Sequence, residues 1–263
     1  MITSLHSPHV EAVKALLGSR GNKARRETNS YVVESLQNIR ELLASSPEEV
    51  KALYLTEDGR HKLREIPLGI FEIHDVTPEV MKAMTDTVTP QGLLAIAELP
   101  KRDLATIISQ SPASAKFAYF WQIQDPGNAG TIIRAADAFG FDGVLFSSES
   151  VDAYSPKVVR SSAGSHWHIP IVEDVNLDEL FSIAQSHECK LFATDASATK
   201  DLLEISKASA SQRAIWIFGN EARGIPENLA ATKVSIPIRG KAESLNLATA
   251  ASVVMYAVSA ARK

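Results

Sequence analysis

From Phe117 onward, short apolar runs alternate with stretches whose apolar residues recur every three or four positions. That alternation predicts strands at 117–123, 143–147, 168–172, 190–194, 214–218 and 234–238. Between and after them it predicts helices at 129–139, 155–162, 177–187, 200–206 and 244–261, with Gly140 closing the first. Several strand runs, Ala214 to Phe218 among them, are apolar at nearly every position. Such strands are covered on both faces, as in a parallel sheet flanked by helices. The last helix is apolar round more than one face, through Leu247, Ala248, Ala251, Val254, Met255 and Val258. It should therefore bury more than a single stripe, against the sheet and in part against a second subunit.

The first hundred residues carry a looser pattern. Val10, Val13, Leu16 and Leu17 have helical spacing, and Arg20, Lys23, Arg25 and Arg26 follow with no intervening acid. Strands are expected at 31–33, 50–56, 70–76 and 93–97, and a helix at 35–45. Thr77-Pro78-Glu79 reads as a helix start, with threonine at the cap and proline in the first turn. The expected organisation is a small α/β domain over 1–97, a linker over 98–116 and a larger α/β domain over 117–263.

Composition narrows the class. The chain has 263 residues, 45% hydrophobic and 22% charged, as in globular proteins. No apolar run has the length of a membrane span, and MITSLHSPHV lacks a signal-peptide core. A single cysteine, Cys189, excludes an internal disulfide framework and suits a reducing cytosol, so a cytoplasmic location is expected. The net charge of −4 argues against broad, charge-driven nucleic-acid binding. Locally, Arg20 to Arg26 reads equally as a solvated loop or as a set of phosphate contacts. His166-Trp167-His168 could supply two ligands at a strand start, but two histidines alone make no metal framework, and no metal site is expected.

Candidate chemistry gathers in three segments. Asp125-Pro126-Gly127-Asn128-Ala129-Gly130-Thr131-Ile132-Ile133-Arg134 follows the 117–123 strand and opens a helix. Phe218-Gly219-Asn220-Glu221-Ala222-Arg223-Gly224-Ile225-Pro226 follows the 214–218 strand. Ile236-Pro237-Ile238-Arg239-Gly240 then leads into Glu243-Ser244-Leu245-Asn246-Leu247-Ala248. Apolar strands that end in Gly, Asn, Glu and Ser are how a parallel sheet builds a pocket beyond its carboxyl ends.

Together, in this order, the three segments resemble the signature motifs of the SpoU (TrmH-like) family of RNA 2′-O-ribose methyltransferases. The resemblance is close over about residues 115–263. It implies a SPOUT-like α/β fold with a trefoil knot, preceded by a small L30e-like RNA substrate-binding domain. It also implies S-adenosylmethionine as cofactor, a homodimer, and an RNA substrate, ribosomal rather than transfer RNA. The implied catalytic positions are Asn128, Arg134, Glu221, Ser244 and Asn246. Those implied for the cofactor are Gly219, Ile236 and Leu245, and more loosely Thr194; Ile238 and Leu247 join them because amides in the same loops could bond an adenine edge. Arg160 is implied near the RNA entry, while the basic cluster of Arg20, Lys23, Arg25 and Arg26 supplies the candidate phosphate contacts of the N-terminal domain. Two positions depart from the family pattern: Glu34 is followed by Ser35 and Glu221 by Ala222, where the family commonly has glycine.

The residues allow blander roles as well. Ile236, Ile238 and Leu245 could be plain core, Ser244 an N-cap for the last helix and Arg134 a surface arginine. An arginine is a poor base, so Arg134 is expected to orient and to handle a proton beside an RNA phosphate. The alternative function is an RNA-binding protein of this fold without catalysis. Dinucleotide-binding Gly-x-Gly-x-x-Gly, P-loop and Gly-x-Ser-x-Gly patterns are absent from the sequence, which disfavours those enzyme classes.

Overall fold

The computed structural model describes residues 1–18, 20–220, 223–226 and 229–262. The first elements are α1 (Pro8–Leu17), α2 (Gly21–Thr28), β1 (Ser30–Glu34), α3 (Leu36–Ser45) and β2 (Val50–Leu55). Then come α4 (Glu57–Lys62), β3 (Ile73–Asp75), α5 (Pro78–Ala83), β4 (Leu93–Glu98) and α6 (Leu104–Gln110). The middle of the chain forms β5 (Lys116–Phe120), α7 (Pro126–Ala138), β6 (Gly143–Phe146), α8 (Pro156–Ser161), β7 (Ile171–Val172) and α9 (Leu177–Ser186). The rest forms β8 (Lys190–Thr194), β9 (Lys200–Asp201), α10 (Leu202–Ala208), β10 (Ala214–Phe218), β11 (Thr232–Ser235) and α11 (Leu247–Ala260).

These elements make two compact units. One comprises residues 1–101 and 154–167, the other residues 102–153 and the chain from His168 onward. The first unit holds a four-stranded sheet in the order β1-β4-β2-β3, with β4 antiparallel to both neighbours and β3 parallel to β2. Its helix starts follow local chemistry. Ser7, Ser35, Thr56 and Thr77 each accept a hydrogen bond from an amide of the first turn, which satisfies a donor the helix cannot.

Residues 154–167 join this first unit although they lie between β6 and β7 in sequence. Tyr154 packs edge-on against Tyr31 at 5.0 Å, Trp167 donates to the Tyr31 hydroxyl at 3.1 Å, and Asn38 donates to the Val159 carbonyl at 3.1 Å. Arg160 bonds Glu34 at 2.6 Å. The side chain of Glu34 is only 3% exposed, and burial pushes its carboxyl above the usual range while the Asp86 amide and Arg160 oppose that rise.

Several expectations need correction. Arg20 to Arg26 is not a loop: α2 starts at Gly21, and Arg25 turns inward, 5% exposed, to donate to the Leu16 carbonyl. The 98–116 stretch is not all linker, because Asp103 caps α6 and Leu104 and Ile108 are core. His166 and Trp167 lie in a 3-10 turn rather than at a strand start. His166 bonds Ser162 at 2.6 Å and His168 bonds Asp137 at 2.9 Å. The α7 cap is Phe139 rather than Gly140, and α7 begins at Pro126, three residues early, because Asp125 accepts from the Asn128 amide.

The second unit is built on a seven-stranded, all-parallel sheet in the order β7-β6-β5-β10-β8-β11-β9. The chain runs outward from β5 through β6 to β7, then crosses to β8. Strand β10 comes back between β5 and β8, and β11 between β8 and β9. Strands β5 and β10 are buried along their whole length, which is why their residues alternate with nothing polar but Lys116. Helices α7 and α11 pack together, and the buried side of α11 carries Leu247, Ala251, Val254, Met255 and Val258.

Candidate active site

The carboxyl ends of β8, β10 and β11 and the start of α11 enclose a cleft of about 440 Å³, a size ordinary for small-molecule sites. Its described lining is Thr194, Asp195 and Ala196 after β8, Gly219, Asn220 and Gly224 after β10, and Ile236 and Ile238 after β11. Ser244 to Leu247 and Ala250 complete it. All six residues expected at the cofactor therefore line one cleft, and so do Ser244 and Asn246.

Strand β11 ends at Ser235, short of the expected 238. Pro237 has no amide hydrogen to give a ladder, so the strand cannot continue through it. The residues beyond it turn into the cleft instead. Ile238 and Leu245 are 38% and 37% exposed, so neither is a core residue. They form an exposed apolar part of the cleft lining.

Gly219 is required by its own loop. A Cβ there would lie 2.7 Å from both the Gly224 oxygen and the Ile225 nitrogen. This close approach arises because Asn220 and Gly224 exchange backbone hydrogen bonds at 3.0 and 2.9 Å. Gly224 sits at φ 66°, a conformation that costs glycine little. Its missing side chain thus makes room for residues 224 and 225 of its own loop.

Asn220 went unselected in the sequence, although it carries much of this loop. Its side chain donates to the Gln122 carbonyl at 2.7 Å and accepts from the Arg223 amide at 3.1 Å. Gln122 itself has φ 50° and is held by Ser147, which accepts from its amide at 2.7 Å, and by Glu149, which accepts from its side chain at 2.7 Å. The second-segment loop is in this way fixed to the stretch that leads into α7. The signal available in the sequence was a lone Asn immediately after the strand-ending glycine.

Asn246, rather than Ser244, caps α11, accepting from the amides of Ala248 and Thr249 at 2.9 and 3.2 Å. Its amide group donates to the Asn128 side chain at 3.2 Å, which joins the cleft to the mouth of α7. Arg134 lies two turns into α7, exposed and outside the cleft lining. Among the described residues nothing holds its guanidinium. Glu221 and Ala222 lie outside the described residues. Arg20, Lys23 and Arg26 are exposed on or beside α2, Lys23 paired with Glu27 at 3.6 Å. Arg160 is committed to Glu34.

Asp195 is the other residue the sequence reading passed over. Its carboxylate accepts from the Ser197 amide and hydroxyl at 2.8 and 2.7 Å and pairs with Lys233 at 3.0 Å. These partners hold its pKa below the usual carboxylate range.

Comparison with known proteins agrees with this architecture. Residues 116–256 match the model of the SpoU rRNA Methylase family, and residues 8–95 match that of the MRM3-like substrate binding domain. The chain is 32% identical to the 23S rRNA (guanosine(2553)-2'-O)-methyltransferase RlmP of Bacillus subtilis, over 89% of this chain and 90% of that one. It is 29% identical to the 23S rRNA (uridine(2479)-2'-O)-methyltransferase of Streptomyces viridochromogenes, over 92% and 86%. Among solved structures, the SpoU methyltransferase AviRb of Streptomyces viridochromogenes, in complex with AdoMet, aligns with a TM-score of 0.86 at 26% identity, covering 98% of each chain. The AdoMet-bound rRNA methyltransferase of Sinorhizobium meliloti aligns at 0.83 with 27% identity, covering 98% of this chain and 96% of that one. A family model that spans the cleft-bearing sheet, and a relative that matches almost end to end, make this chain a member of the SpoU rRNA methylase family.

Proposed function

We propose that the protein transfers a methyl group from S-adenosylmethionine to the 2′-hydroxyl of a ribose in structured RNA, ribosomal rather than transfer RNA. The observation that carries this is the cleft at the ends of β8, β10 and β11, tied through Asn246 to Asn128 at the mouth of α7. The donor set fits the cofactor. Exposed Ile238 and Leu245 suit the faces of an adenine, and the chain from Ile236 to Leu247, outside any strand or helix until α11, has backbone groups for its edge. Relatives with AdoMet in their structures, and relatives named as 23S rRNA methyltransferases, favour the same reading.

Bound there, S-adenosylmethionine supplies a methyl already activated by its sulfonium, so the protein's own work lies at the other reactant. Asn128 and Asn246 hold the mouth of α7 against the cleft and offer amide groups to the ribose. Arg134, exposed and without a described partner, is available to an RNA phosphate, orients the nucleotide and stabilises alkoxide character as the hydroxyl loses its proton. Ser244 and Glu221 are assigned to the same site through the family resemblance. The exposed side chains of Arg20, Lys23 and Arg26 contact phosphate in the substrate-binding unit; buried Arg25 supports α2 instead.

The working form is a homodimer in the cytoplasm, where ribosomal RNA is assembled. Leu203 and Tyr256, 58% and 63% exposed, flank a groove beside α11 with Val253 and Pro237, an apolar surface that a second copy would cover. A trefoil knot in the cleft-bearing unit is proposed from the family resemblance alone. Ribose-methylation mapping of total RNA with and without the gene tests the reading. A single lost 2′-O-methyl site in ribosomal RNA is expected; an unchanged map, with no affinity for S-adenosylmethionine in titration calorimetry, would favour a non-catalytic RNA-binding protein.

A further inference from the structure

Asp195 is the one charged residue among the described residues that line the cleft. It is held by partners that leave its charge in place. Ser197 takes one carboxylate oxygen, in a turn that an asparagine would also close, and Lys233 of β11 takes the other. Lys233 is itself not a lining residue. Among the described residues the cleft thus presents a partly compensated anion on an otherwise uncharged lining.

The two states of the cofactor differ in the property to which such a group responds. S-adenosylmethionine carries a sulfonium, an ammonium and a carboxylate. On transfer the C–S bond breaks with its electron pair left on sulfur, the methyl goes to the ribose oxygen and the hydroxyl proton passes to solvent. S-adenosylhomocysteine therefore has one positive charge fewer in nearly the same shape. We propose that Asp195 is a specificity-determining residue that makes the cleft prefer the cationic donor to its neutral product, with Lys233 setting the strength of that preference. This rests on the functional reading above and concerns charge alone, so the fit of the adenosine moiety should not depend on it.

Titration calorimetry at low salt, on the full chain, with S-adenosylmethionine, S-adenosylhomocysteine and adenosine, tests it. Asp195→Asn keeps the turn and removes the charge. Its ratio of product to donor dissociation constants should fall roughly three- to tenfold, the scale of one unit charge acting over several ångström at an effective dielectric between those of protein and water. Lys233→Met keeps the aliphatic stem, leaves Asp195 uncompensated and should move the ratio the opposite way. Adenosine affinity should stay within twofold of wild type in both variants. Opposite shifts cannot come from mere loosening of the loop. An unchanged ratio in Asp195→Asn, or shifts of the same sign in both variants, would overturn the assignment. A wild-type chain that binds neither donor nor product would instead overturn the functional reading, and this inference with it.

Discussion

The ion pair between Arg160 and Glu34 gives a prediction whose size follows from burial. Removing the guanidinium by Arg160→Met leaves a carboxylate that is 3% exposed with the Asp86 amide, at 3.1 Å, as its remaining close donor. Breaking one partner of a buried pair typically costs about 3–5 kcal/mol. Here the cost has an outlet, since the carboxyl can protonate. Burial already holds the Glu34 carboxyl above the usual carboxylate range, and losing Arg160 raises it further. A carboxyl whose folded pKa exceeds its unfolded value binds its proton more tightly when folded, so stability is full below about 4.5 and falls as pH rises through the folded pKa. The destabilisation by Arg160→Met should therefore be largest near pH 8 and shrink toward pH 5, by up to about 1.4 kcal/mol for each unit of added shift. Glu34→Gln in the same chain should restore most of the loss at pH 8 and flatten the pH dependence. Urea unfolding at several pH values, read by tryptophan fluorescence, measures this. A loss independent of pH, or one that Glu34→Gln fails to rescue, would refute the reasoning. RNA affinity lost without loss of stability would return Arg160 to the role of a phosphate contact.

Arg134→Ala should lower single-turnover methyl transfer by about 10²–10³ while S-adenosylmethionine affinity stays near wild type, and Arg134→Lys should be impaired too because it loses the planar fork. Near-normal turnover with saturating RNA would shift proton handling to another group. Gly219→Ala should weaken cofactor binding by forcing apart the Asn220–Gly224 loop, at a cost of about 1–3 kcal/mol seen in melting as well as calorimetry; lost affinity with unchanged melting would mean that the clash is with the ligand. Replacing Arg20, Lys23 and Arg26 with Gln should flatten the salt dependence of RNA binding by a slope of about 2–3, with cofactor affinity untouched. An unchanged slope would leave α2 as a solvated helix.

The second unit was legible where its strands are buried on both faces, as β5, β6 and β10 are. A run such as Ala214 to Phe218 has no polar residue to blur its ends, and the expected and observed strands coincide there. Boundaries failed where the backbone or cap chemistry of a single residue decided them. Pro237 stopped β11 early, and Asn246 took the capping role from Ser244 because its side chain reaches two amides of α11. In the first unit, α2 escaped notice because its only buried side chain is an arginine. The attachment of residues 154–167 to the first unit was invisible for a different reason: apolar spacing says which face of a helix is buried, not which core receives it.

Ser35 and Gln122 mark how this chain accommodates backbone that glycine would take without strain. Ser35, where the family commonly has glycine, sits at φ 77° and ψ 144°. It is held there by its own cap bond to the Asn38 amide and by Gln91, which accepts from the Leu36 amide at 2.7 Å. Gln122, at φ 50°, is held through its amide, its carbonyl and its side chain. Each costs of order 1–3 kcal/mol and persists only where surrounding contacts over-determine it. At Gln122 those contacts come from Asn220 in the cleft loop and from Ser147 and Glu149 beyond β6, so the strained residue fixes the distance between the cleft and the start of α7. In methyl transfer that distance is the one that matters, because an in-line displacement loses rate steeply when the two reactants are misplaced by an ångström. Under the proposed function, this loop geometry acts with the Asn246–Asn128 bond to hold that alignment.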